Sequence, residues 1–138
     1  REELEAGIRQ LHLEGRMLVC HATDDVPSVL AALDLFVMPS WSEAFGLVAL
    51  EAMAMGVPCL LAASGSVAEI ARGSGSRMFR PGDAFDLGRQ IMRLYRNPEE
   101  RAAMSQRARE YVHAHHSEDL RFFQTLDIYH RCERRRQL

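Results

Sequence analysis

Lysine is absent from this 138-residue chain, so all 17 basic side chains are arginine. That excludes a Schiff-base lysine and a Walker-type phosphate lysine from within it. Cysteine is scarce: Cys20, Cys59 and Cys132 are an odd count at wide spacing, with no CxxC for metal or redox chemistry, and this usage fits a reducing cytoplasm. Charge of one sign is also missing. With 19 acids against those 17 arginines the net charge is -2, which gives nucleic acid or an anionic membrane no long-range reason to bind. An anionic ligand must be caught locally. No long apolar run exists either, because the stretch at 45–63 is broken by Glu51, Gly56 and Pro58, so neither a signal peptide nor a spanning segment is expected and the chain should be soluble. The opening Arg1-Glu2-Glu3-Leu4 lacks an initiator Met and reads as mid-helix, which suggests an excised fragment.

What is present is a globular sequence, 47% apolar and of one-domain size. Leu4, Ile8 and Leu11 recur at helical spacing and predict an amphipathic helix over 1–12, closed by Glu14-Gly15. Met17-Leu18-Val19-Cys20-His21 reads as a buried strand. Asp24, Asp25 and Pro27 open a helix with Val29, Leu30 and Leu33 on its apolar face. Leu35-Phe36-Val37-Met38 is the next strand, stopped by Pro39. A largely buried helix runs from Phe45 to Gly56, a glycine suited to a left-handed cap. Pro58–Ala62 is a third strand, Ser66 and Glu69 are spaced as a capping box, and Met78-Phe79 is a fourth strand before the Pro81-Gly82 turn. Asp83 caps a helix carrying Leu87, Ile91 and Leu94; Asn97-Pro98-Glu99-Glu100 starts another; Ser117 caps a last one with Leu120, Phe123 and Leu126 inside. This alternation predicts an α/β, Rossmann-like parallel sheet covered by helices on both faces, with a carboxyl-terminal helical extension. Ligands of such sheets lie beyond the carboxyl ends of the strands, here the loops at 20–26, 39–46 and 63–67.

The segment Glu43-Ala44-Phe45-Gly46-Leu47-Val48-Ala49-Leu50-Glu51 occupies one of these strand-to-helix junctions. Glu51 falls within an apolar helix, where an unpartnered buried carboxylate costs several kcal/mol, so a polar group must meet it. A ribose diol and a neighbouring arginine both satisfy that requirement. Glu43 lies just before the helix, where free amides and the dipole stabilise a negative charge by roughly 0.3–1 kcal/mol. The amides of Gly46 and Leu47 form a natural anion site, and glycine lets a phosphate or hydroxyl approach the backbone.

Glu43 and Glu51, separated by seven residues, with Ala32–Ser40 before them, Gly65–Ile70 after them, and Phe79–Asp83 and Asn97–Arg101 further on, resemble glycosyltransferase family 4 over nearly the whole chain. The resemblance implies the nucleotide-sugar-binding half of a retaining enzyme with two Rossmann-like domains, the GT-B fold. Residues 1–116 would be a partial donor-binding domain and 117–138 a crossover helix. Glu43 is then the catalytic-site acid, orienting the donor sugar rather than transferring a proton. Glu51 binds the ribose hydroxyls, and Phe45, Gly46 and Leu47 offer backbone amides to diphosphate or sugar. The partner is a UDP or GDP sugar, no cofactor or metal is implied, and the pathway is synthesis of a polysaccharide, glycolipid or small glycoside. The implied place is cytoplasmic, at the inner membrane surface in a full-length enzyme.

The chain departs from the pattern at four points. The family's Arg and Lys clamp lies upstream of Arg1, and the amino-terminal acceptor domain is absent, so transfer by this chain alone is not expected. Ser66 stands where a second glycine is common, and His21 where a glycine follows the first strand; His21 to Thr23 are placed to touch the base. Two other readings compete: a degenerate binding or assembly module, favoured by Ser66 and His21, and a sugar-nucleotide epimerase, disfavoured by the acid spacing. His113, His115 and His116 read as helix-end cations rather than metal ligands. Arg134–Arg136 reads as a solvated tail, not a nucleic-acid patch. Trp41 either packs or lines the cleft. Uncovered apolar residues of the last helix predict self-association.

Overall fold

The computed structural model describes residues 1–136, with side chains through residue 132. Helix α1 spans Glu2–Gln10, α2 Val26–Ala31, α3 Leu47–Ala54, α4 Val67–Ser74, α5 Ala84–Arg96, α6 Pro98–His115 and α7 Glu118–Arg136, and strands β1 (Phe36–Met38), β2 (Cys59–Ala62) and β3 (Arg77–Phe79) alternate with them. The sheet is parallel in the order β1-β2-β3, with Val37 opposite Leu60 and Leu61 opposite Met78.

All four β2 residues are buried, and they divide by the strand period of two. Cys59 and Leu61 face a core shared with Met38, Ala49, Met53, Val67 and Ile70 of β1, α3 and α4. Leu60 and Ala62 face the opposite way, onto Phe79, Leu94 and Met104 of β3, α5 and α6. A central parallel strand apolar on both faces has to be covered on both faces, and the helices do so. Each large side chain withdrawn there contributes roughly 1.5–3 kcal/mol.

The local punctuation works as the sequence predicts at several places. Asp25 accepts the Ser28 amide at 3.2 Å with Pro27 in the first turn of α2, and Asp83 accepts the Asp86 amide at 2.8 Å to start α5. Past the end of α3, Gly56 takes a left-handed φ of 76°. Its amide and that of Val57 return to the carbonyls of Met53 and Ala52, closing the helix with a Schellman arrangement. The Ser105 hydroxyl of α6 donates to the Gly56 carbonyl and ties the two helices together.

Three expectations are corrected. The strand at 17–21 does not form: Met17 makes one isolated bridge with Glu14, and Leu18 is 87% exposed. An apolar run gains from a parallel sheet only when a ladder neighbour and covering helices remove it from water, and the ladder of β1 runs to β2 alone. In α2 only Leu30 is buried; the helix ends at Ala31, before Leu33 can turn inward, and Val29 stays exposed. In α7 Leu120 is half-buried but Phe123 and Leu126 are exposed, because no described element covers that side of the helix. The side chains of Arg134–Arg136 lie outside the described residues. Among the described residues no helix is long and apolar enough to cross a membrane.

Candidate functional site

Because the strands are parallel, the loops after β1, β2 and β3 leave the sheet at one edge. The β1 loop turns into α3 at Gly46, which is buried and left-handed at φ 81°, ψ 45°. A methyl group there would stand 2.9 Å from Val67 Cγ2 at the start of α4. Glycine is thus required twice over, by the backbone and by the packing.

The β2 loop buttresses the β1 loop. Ser64 Oγ donates to the Ser40 carbonyl at 3.1 Å, and Ser66 Oγ donates to the carbonyls of Ala44 at 2.6 Å and Glu43 at 3.3 Å. Gly65, at φ 51°, passes so close that a methyl group on it would lie 2.7 Å from the Glu43 oxygen. The expected capping box is therefore corrected: Ser66 is already helical in φ and ψ, makes no side-chain cap, and turns its hydroxyl onto the neighbouring loop. Nothing in a four-residue spacing can announce a partner 22 residues away.

This scaffold fixes the amino end of α3. The amides of its first turn, at Leu47 and Val48, have no carbonyl one turn earlier in the helix, and the aligned peptide dipoles place about half a positive charge there. Glu43 is half-buried just before that end, while Phe45 and Leu47 are exposed beside it. These four residues, with Gly46 among them, are brought together.

Glu51 requires a correction. It is exposed, so the cost of burying a carboxylate does not arise. Its helix buries Ala49, Leu50, Ala52 and Met53 and leaves Glu51 on the outer side. One turn further along α3 than Leu47, roughly 6 Å in rise, it lines a cavity of about 240 Å³ whose other walls are Val26, Pro27, Leu30, Ala54 and Met55. None of the ion pairs among the described residues includes Glu43 or Glu51. His21 is exposed in an irregular segment, where its ring meets Arg1 Nη1 at 2.9–3.0 Å.

The carboxyl end of α6 reaches the same edge. The His116 ring meets Phe45 edge-on at 6.3 Å and Tyr111 at 5.4 Å, and Tyr111 also meets His115 at 4.7 Å. Burial, then His115 and Arg121, hold His116 below the ordinary imidazole value at the carboxyl cap of α6, with His113 and His115 in its last turn. Among the described residues no group of three His, Cys, Asp or Glu is arranged to hold a metal. Cys59 is no nucleophile, since burial pushes its thiol up to about 12.

One feature went unread in the sequence, the serine and glycine buttress. Trp41, expected either to pack or to line the cleft, packs and also faces outward: its ring lies over Gly82 of the β3 loop while the residue remains 76% exposed.

The chain matches the family model for glycosyl transferases group 1 over residues 1–111. It is 37% identical over 107 residues to N-acetyl-alpha-D-glucosaminyl L-malate synthase of Bacillus anthracis, covering 77% of this chain and 28% of that enzyme. Among solved structures it is similar to sucrose-phosphate synthase from Thermosynechococcus elongatus, with TM-score 0.87 and 26% identity over 95% of this chain and 34% of that one. It is also similar to Anabaena HepE in complex with UDP, with TM-score 0.77 and 29% identity over 81% of this chain and 32% of that one. The chain spans less than a third of the length of the first curated relative.

Proposed function

Since the chain belongs to the group 1 glycosyl transferases, we propose that it forms the nucleotide-sugar donor site of a retaining family 4 enzyme that transfers a sugar to a hydroxyl acceptor. One observation carries the reading: the amino end of α3, buttressed by Gly46, Gly65 and Ser66 and with its first amides unpaired within the helix, has a carboxylate on either side of it in the chain. Amides and dipole favour a phosphate, whereas Glu43 and Glu51 repel a bare phosphate and accept hydroxyls. A ligand that satisfies both joins phosphates to polyols, as a nucleoside diphosphate sugar does. The diphosphate is assigned to the amides of Phe45, Gly46 and Leu47, the ribose diol to Glu51 in its apolar-walled cavity, and the sugar to Glu43 as an orienting group. That the HepE structure carries UDP supports this assignment.

Retention follows in this proposal from attack of the acceptor hydroxyl on the face from which the nucleoside diphosphate departs. The developing charge on the leaving group is stabilised by amides already in place, and no metal is assigned. Residues 1–116 are assigned to the donor domain and 117–138 to a crossover helix. Transfer is assigned to a longer protein with an acceptor domain, and the 138 residues to binding.

Calorimetric titration with UDP, GDP and ADP tests the reading. One nucleotide should bind selectively, and Glu51→Ala should weaken it by about 1.5–3 kcal/mol, the worth of hydrogen bonds to a charged group. Absence of binding to all three would leave a degenerate assembly module as the better account.

A further inference from the structure

The edge of the sheet carries a second small cavity, about 210 Å³, between the β1 and β3 loops and the start of α5. Pro39, Trp41, Phe79, Gly82 and Leu87 give it apolar walls, and Asp83 stands among them. We propose that this cavity is a pyranose subsite, with the Trp41 indole as the platform for the ring of a neutral saccharide. The proposal rests on the donor-site reading for its place in catalysis, as the position of the acceptor or of a growing chain, and on its own geometry for the binding.

A single exposed aromatic is unremarkable on a protein surface. Trp41 differs because its ring is held in place. A methyl group on Gly82 would lie 2.1 Å from Trp41 Cη2, so the indole seats on a backbone that only glycine allows, at φ 74°. The result is a flat apolar face offered to solvent two residues before Glu43. Asp83, which lines the cavity, accepts through Oδ2 from Arg80 Nη2 at 2.9 Å, and the Arg80 side chain remains largely exposed. Asp83 Oδ1 is engaged by the Asp86 amide, which fixes the carboxylate without using all its lone pairs. Donor and acceptor therefore stand side by side, the pattern that adjacent sugar hydroxyls take, next to an apolar wall for the C–H face of the ring. The carboxylate disfavours a phosphate here.

Trp41 is the only tryptophan in the chain, so its emission reports this site alone. The 138-residue chain is titrated with methyl α-D-glucopyranoside, methyl α-D-mannopyranoside and maltose, with open-chain sorbitol as the control. A saturable blue shift with at least one pyranoside and none with sorbitol is the expected result. By NMR, the saccharide-induced shifts should persist in Trp41→Phe and disappear in Trp41→Ala, with binding of whichever of UDP, GDP and ADP the parent takes unchanged by calorimetry in both variants. An emission spectrum indifferent to every pyranoside overturns the proposal. So does a change produced by UDP and not displaced by saccharide, which would make the indole a nucleobase platform. Absence of binding to UDP, GDP and ADP alike, with the saccharide response intact, would instead refute the donor reading and leave this one standing.

Discussion

Gly46→Ala is the sharpest perturbation of the candidate site. Two costs add. An L residue held at φ 81° loses about 1–2 kcal/mol to contact between Cβ and the following carbonyl. The new methyl also meets Val67 Cγ2 at 2.9 Å, and Val67 is buried at the first turn of α4, so relief needs a shift of packed backbone worth about 1–3 kcal/mol. The total is about 2–5 kcal/mol, or partial relief by unwinding the first turn of α3. Urea unfolding followed by circular dichroism measures the first outcome. Calorimetry with the nucleotide that the parent binds measures the second, because an unwound turn scatters the amides assigned to the phosphates in the proposed function. In the Val67→Ala background the clash component should vanish and the conformational one remain, so Gly46→Ala should cost about 1–2 kcal/mol relative to the Val67→Ala single variant. A Gly46→Ala protein within about 0.5 kcal/mol of the parent, the range of an ordinary surface change, would refute the account of how this helix end is held.

Other outcomes follow from the same geometry. Ser66→Ala removes the donor to Ala44 and Glu43, and should cost about 0.5–1.5 kcal/mol in urea unfolding together with a loss of nucleotide affinity. The Asp86 carboxyl is lowered by the Arg80 amide and by Arg89, and that of Glu100 by Arg77 and then Arg93. Depressed carboxylates stabilise the fold above their ordinary values of 3.8 and 4.5 and lose that contribution as pH falls through the depressed ones, so the urea midpoint should drop across this acid range, less so in Asp86→Asn. Exposed Cys20 and Cys132 should react with iodoacetamide in the native protein, while Cys59, buried and poorly ionised, reacts only on unfolding, as peptide mass spectrometry would register. The uncovered Phe122, Phe123, Ile128 and Tyr129 of α7 should drive self-association. A light-scattering mass fixed at 15.6 kDa up to high concentration would count against it.

What the sequence made legible was governed by neighbours along the chain. The cap at Asp83, the proline start at Asn97-Pro98 and the left-handed Gly56 each depend on contacts within a few residues, and each stands where it was expected. The apolar runs of β1, β2 and β3 were legible because their strands found ladders. The run at 17–21 has the same composition and no ladder, so composition alone could not separate it from them. Glu51 failed for a related reason: an apolar helix buries one side, and the sequence around residue 51 does not say which way the carboxylate points. The Ser66 hydroxyl looked local and was not. Its acceptors lie 22 and 23 residues back, on a loop brought near only by the parallel order of β1 and β2.

The absence of lysine and the distribution of arginine bear on how an anion is held here. Arg77 and Arg93 converge on Glu100, Arg89 pairs with Asp86, and Arg101 donates to the carbonyls of Leu94 and Tyr95. These cations serve the packing of β3, α5 and α6, away from the start of α3. Arg80 is paired with Asp83 at the start of α5. The half charge of a helix end and a few amides are then what these loops offer a diphosphate that carries more than one negative charge. Such a site positions an anion better than it neutralises one. In the proposed function binding and transfer then separate physically: the amides orient the donor, whereas stabilising the departing diphosphate calls for further cations above the same edge, supplied by the rest of the enzyme.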